Sequence, residues 1–271
     1  MRAKFTPEFV VATLAALALA AVGSSCIGTT GGDLLQFKAF ARGPVDAVAG
    51  EPYTFVNDRG FTITLDRAKL HVGALYLNRA VPTSVSRDTS CYLTGVYVAE
   101  LTAGLDIDAL SPELQPFPEL GAGTTERART GEIWLSGGDL DNEEDPTVIV
   151  DLAGQAAKDG AVYPFDAQLT IGSNRAVPPP DEAQPGAYPI CKQRVVSPIR
   201  VDFRPEEGGH LVLTVDPAGW FGNVNFAELE QDSTDPPHYR FRDDSTDQPS
   251  LNLYNGVRAS AGPYTFTWED D

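Results

Sequence analysis

Histidine, methionine and cysteine are all scarce in this chain of 271 residues, numbering three, one and three. No C-x-x-C pair occurs and no cysteine has a histidine close by, which excludes zinc-ribbon and thioredoxin-type motifs. Positive charge is also in short supply. Lys and Arg total 20 against 38 Asp and Glu, a net charge of −18. Nucleic acid and anionic lipid surfaces are poor partners for such a chain, because like charges repel over a Debye length of roughly 8 Å. The chain holds no P-loop, no H-E-x-x-H and no G-x-G-x-x-G; Gly121-Ala122-Gly123 lacks its third glycine. Gly256-Val257-Arg258-Ala259-Ser260 has the wrong order for a nucleophile elbow. A glycosidase needs only two carboxylates in space, which the sequence cannot place. These absences weigh against an enzyme and towards a binding or structural protein.

No apolar run reaches membrane-spanning length. The longest, Phe9 to Val22, has 14 residues broken only by Thr13, about 21 Å of helix against a hydrocarbon core of about 30 Å. Arg2 and Lys4 precede it, and Gly23, Ser24, Ser25 and Cys26 follow. A positive start, a short apolar run and small residues describe a secretory signal peptide. Small residues directly before a first cysteine resemble the lipobox of bacterial lipoproteins, although Gly23 stands where that family usually carries an aliphatic residue. The resemblance implies cleavage after residue 25, acylation of Cys26 and anchoring in a membrane. Ile27, where the family uses Asp for inner-membrane retention, implies the outer membrane. Cleavage leaves 246 residues with 18 positive and 37 negative side chains, so the acidity belongs to the mature protein.

Cys91 and Cys191 remain, an even pair in an oxidising compartment, and a disulfide is the economical expectation. Closing so long a loop is worth up to about 4.7 kcal/mol in the chain-entropy view.

Residues 26–50 are rich in Gly, Ala and Asp and read as a flexible tether, ending in a first strand around Leu34–Ala41. From 51 to 271 the pattern is of short strands. Leu70–Leu77 is apolar on both faces and predicts one central strand. Asp106–Leu110 predicts a helical turn stopped by Pro112. Ile199, Val201 and Phe203 alternate with polar residues, then turn through Pro205–Gly209 into Leu211, Leu213 and Val215, which predicts a hairpin. Asn225–Gln231 predicts another short helical turn, and Tyr264, Phe266 and Trp268 a closing strand. Residues 176–189 hold five prolines and read as a surface loop. The expected fold is all-β: one antiparallel β-sandwich domain with long loops, behind a signal peptide and tether.

Two metal sites are conceivable. Asp139, Asp141, Glu143 and Asp145 form the densest oxygen cluster and suit calcium, which takes six to eight oxygen ligands. The spacing is not that of an EF-hand, and the competing expectation is a solvated hairpin loop. His71 and His210 both fall on predicted strands, and two strands of one sheet could join them into a copper site. His238 follows two prolines and reads as a loop residue.

Phe61–Leu65, His71–Leu77, Leu213–Pro217 and Gly219-Trp220-Phe221-Gly222-Asn223-Val224-Asn225-Phe226 resemble strand and turn strings of all-β envelope lipoproteins. That resemblance implies a lipid-anchored module working with the membrane and an envelope protein partner. The Val-Asp run before a short aromatic turn is more faintly similar to periplasmic copper-binding proteins associated with methanobactin systems. Those proteins carry cysteines that this chain lacks, so no ligand is carried over.

Overall fold

The computed structural model describes residues 31–80, 96–142, 145–172 and 190–270. The fold is all-β, in two sheets. The larger, nine-stranded sheet runs β12 (Val195–Phe203), β9 (Ala128–Trp134), β4 (Ala74–Asn78), β5 (Tyr97–Leu101), β8 (Gly121–Thr124), β1 (Leu34–Arg42), β13 (Gly209–Val215) and β16 (Tyr264–Asp270). A short β7 (Gln115–Pro116) also pairs with β1. Its end strands approach each other, with the Phe203 and Trp268 rings 6.2 Å apart, so the sheet nearly closes. The seven-stranded sheet runs β14 (Gln231–Thr234), β15 (Pro237–Phe241), β11 (Ala161–Thr170), β10 (Val148–Lys158), β3 (Thr62–Val72) and β2 (Tyr53–Val56), with β6 (Leu105–Asp108) also on β3.

Alternation explains which faces are inside. Leu35, Phe37, Ala39 and Ala41 of β1 are buried while Leu34, Gln36 and Lys38 face out, the period-2 pattern of a strand with one covered side. Buried residues of both sheets belong to a single apolar cluster. The Gly219–Phe226 string becomes an aromatic plug in it. Pro217–Phe221 is a 3-10 turn capped by Asp216, and Trp220, Phe221 and Phe226 are fully buried. Phe221 and Phe226 meet Phe165, Phe241, Phe61 and Phe55 at centroid distances of 5.0–6.4 Å. Asn57 fastens this plug. Its amide donates to the carbonyls of Phe221 and Val224, and its Oδ1 accepts from the backbone of Arg59 and Phe61.

Several expectations are corrected. The sheets are mixed, not antiparallel throughout, because β1 pairs with β13 and β11 with β15 in parallel. The hairpin expected between Ile199 and Val215 does not form: β13 has β1 on one edge and β16 on the other, while β12 pairs with β9. Leu70–Leu77 is not one strand; it breaks at Gly73 and passes from the smaller sheet to the larger. Asp106 lies in a strand, β6, and not in a helical turn. The first strand belongs to no tether: β1 lies between β8 and β13, and the compact unit starts at Gly32, not residue 51. His238 lies in β15, not in a loop.

Two α-helices complete the described residues: α1 (Cys191–Arg194) and α2 (Gln248–Val257). The second starts where sequence showed only an acidic stretch. Asp247 is its cap, accepting from the Ser250 amide at 2.8 Å, with proline in the first turn. No helix among the described residues is long and apolar enough to cross a membrane.

Candidate functional site

Where β3 gives way to β4, the chain leaves one sheet for the other through a single residue, Gly73. Its N–H donates to the Trp134 carbonyl at 2.8 Å, and a Cβ there would fall 2.2 Å from the Ser136 carbonyl oxygen. That close approach opens a cavity of about 470 Å³ at the break. Its walls include His71, Tyr76, Asp106, Trp134 and Ser136, and no Lys or Arg among the described residues lines it.

Register sets each wall. His71 and Asp106 are direct cross-strand partners on β3 and β6, and His71 Nδ1 lies 2.6 Å from Asp106 Oδ1. The imidazole is 22% exposed and the carboxylate 82%, so the pair stands at the mouth. On the larger sheet Ala74 pairs with Trp134, Tyr76 with Glu132 and Asn78 with Thr130, which puts all six side chains on one face. The Tyr76 ring lies 4.5 Å from Trp134 and 5.1 Å from Tyr97, centroid to centroid.

Beside these rings is a carboxyl no neighbouring cation balances. Glu132 is 1% exposed and makes no ion pair with Lys or Arg among the described residues. Asn78, itself fully buried, donates to Glu132 Oε1 at 2.6 Å. Glu132 Oε2 and Asn78 Oδ1 make no hydrogen bond among the described residues. Burial pushes the Glu132 carboxyl up to about 7, against the pull of the Trp134 indole and the Asn78 amide. Burial, then the charges of Glu132 and Tyr76, raises the Tyr97 hydroxyl as well.

The residues singled out from sequence are dispersed. His71 lines the cavity, but His210 is on the other sheet, edge-on to Phe40 at 5.1 Å with Glu269 Oε2 3.9 Å away. The two histidines therefore do not share a sheet, and each faces its own carboxylate. Asp139, Asp141 and Asp145 lie in a connection between the sheets and not in a hairpin, since β9 and β10 belong to different sheets; Glu143 lies outside the described residues. Arg194 organises this connection. Its guanidinium, 1% exposed, donates to the carbonyls of Asp139 (3.1 Å), Leu140 (2.7 Å) and Ile171 (2.9 Å). Asp139 Oδ1 accepts from the Asp141 amide. Asp145 accepts from the Gly137 and Thr147 amides and the Thr147 hydroxyl. Burial opposes its charge, but the Thr147 and Gly137 bonds together with Arg194 hold its carboxyl below the usual range. A buried cation thus holds the backbone carbonyls of this connection. Among the described residues no three His, Cys, Asp or Glu side chains gather as a metal set.

Cys191 is fully buried at the start of α1 and is not without a partner. Cys26 and Cys91 lie outside the described residues, as does the segment read as a signal peptide.

Sequence reasoning missed Tyr76, Asp106, Glu132 and Trp134. One signal was available: Glu132 stands between Gly131 and the apolar run Ile133-Trp134-Leu135. A lone acid within a strand core is uncommon unless it is paired or functional.

No protein-family model matches the sequence, and no curated protein matches it. Among solved structures the chain is similar to MbnP from Methylosinus trichosporium, with a TM-score of 0.36 and 12% identity over 87% of this chain and 98% of that one. A likeness this distant transfers neither a ligand nor a residue role.

Proposed function

We propose that this chain is a lipid-anchored binding protein of the bacterial cell envelope, moored through Cys26 in the outer membrane and taking a small ligand in the cavity at Gly73. The observation that carries the binding role is the cavity itself: two packed aromatic rings and a histidine–carboxylate pair line one break between sheets, with a buried carboxyl beside them that no Lys or Arg among the described residues balances. Sites of this kind combine apolar walls with a few placed polar groups. The anchor rests on the run from Arg2 to Cys26, and we include in the proposal a Cys91–Cys191 cross-link formed after export.

Native mass spectrometry of the protein, extracted from its own envelope, tests the binding role by detecting a retained small molecule. A thermal-shift screen of metabolites should give stabilisers whose effect disappears in Trp134→Leu. A screen without stabilisers removes the reading. Labelling with a palmitate analogue should mark the wild type and not Cys26→Ala, which should also leave the membrane fraction. Non-reducing peptide mapping should find residues 91 and 191 joined.

A metal reading has one observation in its favour. Asp106 holds Nδ1 of His71, leaving Nε2 as the coordinating nitrogen, with a carboxylate behind the imidazole as many ligating histidines have. Elemental analysis of protein purified without a nickel column should then show stoichiometric copper that His71→Ala loses.

A further inference from the structure

We infer that the ligand of the Gly73 cavity is an organic cation, a protonated amine or quaternary ammonium, seated against the Tyr76 and Trp134 rings with Glu132 as its counter-charge. The inference rests on the cavity being the binding site and adds the chemical class of what enters it.

Three independent features agree. The first is the ring pair: an ammonium is attracted to the face of Trp and Tyr, most strongly when desolvated. Tyr97 extends the aromatic surface behind Tyr76. The second is the sign of charge. Asp106 stands at the mouth, no Lys or Arg among the described residues lines the walls, and the chain as a whole carries −18, which concentrates cations at such an opening. The third is the deficit at Glu132. A buried carboxyl is normally matched by a cation or by a full set of donors. Glu132, beside Trp134 and not itself a wall of the cavity, takes the Asn78 amide on Oε1 and the pull of the Trp134 indole, but has no Lys or Arg partner among the described residues. An anionic ligand would meet the Asp106 carboxylate and, among the described residues, no basic wall residue other than His71.

Calorimetric titration of the full mature chain, in EDTA to exclude metals, tests this with choline and its neutral isostere 3,3-dimethylbutan-1-ol. Choline should bind saturably at one site, and the isostere at least about tenfold more weakly. Glu132→Gln should weaken choline about tenfold while leaving the isostere unchanged; Tyr76→Leu and Trp134→Leu should weaken both. Asp166→Asn, on the smaller sheet, should change neither. Circular dichroism of each variant identifies any that fail to fold, and Tyr76→Leu substitutes for Trp134→Leu in that event. An isostere that binds as well as choline, with loss in Tyr76→Leu, overturns the cation inference and leaves the cavity reading standing. Choline binding that Glu132→Gln does not alter overturns the role of Glu132, and with it the inference. No saturable binding of either probe also overturns it, and the cavity reading falls as well if the metabolite screen is empty.

Discussion

Glu132 keeps its carboxyl 1% exposed, bonded through one oxygen to Asn78, and burial raises it to about 7. In an unfolded chain a glutamate ionises near 4.3. Between about 4.3 and 7 the folded chain therefore holds a proton that the unfolded chain has released. Its contribution is fully present below that window, falls as pH rises through it and is gone above, a loss of about 3 kcal/mol. Glu132→Gln, which keeps an acceptor for Asn78 and cannot ionise, should be more stable than wild type at pH 8 by up to about 3 kcal/mol and equal to it at pH 4. Urea denaturation at the two pH values checks this; equal stability at both would contradict it. A residue whose neutral replacement strengthens the fold and weakens cation binding is one kept for function. Arg194 presents the opposite case. Its three bonds to carbonyls hold the 139–145 connection and the end of β11 to α1. Arg194→Ala should cost about 3–5 kcal/mol in urea denaturation, because three carbonyls lose a buried charged donor. At this scale the sequence showed turns and missed hubs. The Asn57–Gly60 turn was legible, yet the buried role of Asn57 was not, because its acceptors Phe221 and Val224 lie more than 160 positions away.

Strands were more legible than their pairings. The alternation in β13 and β16 gave the buried Leu211, Leu213, Val215, Tyr264 and Phe266, since period 2 depends only on neighbours along the chain. Pairing depends on edges that other segments occupy, and so the apparent hairpin at Ile199–Val215 dissolved into strands with other partners. One hairpin that does form, β10 with β11, turns at Asp159-Gly160, both at positive φ, a signal visible as an Asp-Gly pair. The candidate site owes its existence to the Gly73 break, which two-sided apolar character concealed. Gly73→Ala should therefore act on fold and site together. The added methyl, 2.2 Å from the Ser136 carbonyl oxygen, forces β4 and the 136–138 segment apart. A loss of about 2–3 kcal/mol in urea, with choline affinity falling in the same variant, is expected. An unchanged midpoint would mean that the two segments separate freely.

The whole molecule is built from partners distant in sequence: β1 completes the larger sheet between β8 and β13, and β16, near the end of the described residues, closes on β13. Strand composition revealed the class of fold, while the mixed topology needed contacts that no local pattern encodes. One global property passes from sequence to structure without alteration, the excess of negative charge. The chain carries 38 acidic against 20 basic side chains. Its ion pairs, such as Arg127 with Asp202 and Arg240 with Asp166, are largely exposed, and exposed pairs are worth about 0–1 kcal/mol each. Screening should therefore weaken few useful attractions while relieving repulsion spread over the entire surface. Raising ionic strength from about 0.01 M to about 0.15 M shortens the Debye length from roughly 30 Å to roughly 8 Å. The melting temperature should rise by a few degrees over that range, equally in sodium chloride and in sodium sulfate matched for ionic strength. A rise confined to sulfate would assign the effect to surface exclusion of the salt. A fall in both would mean that the surface ion pairs outweigh the net charge.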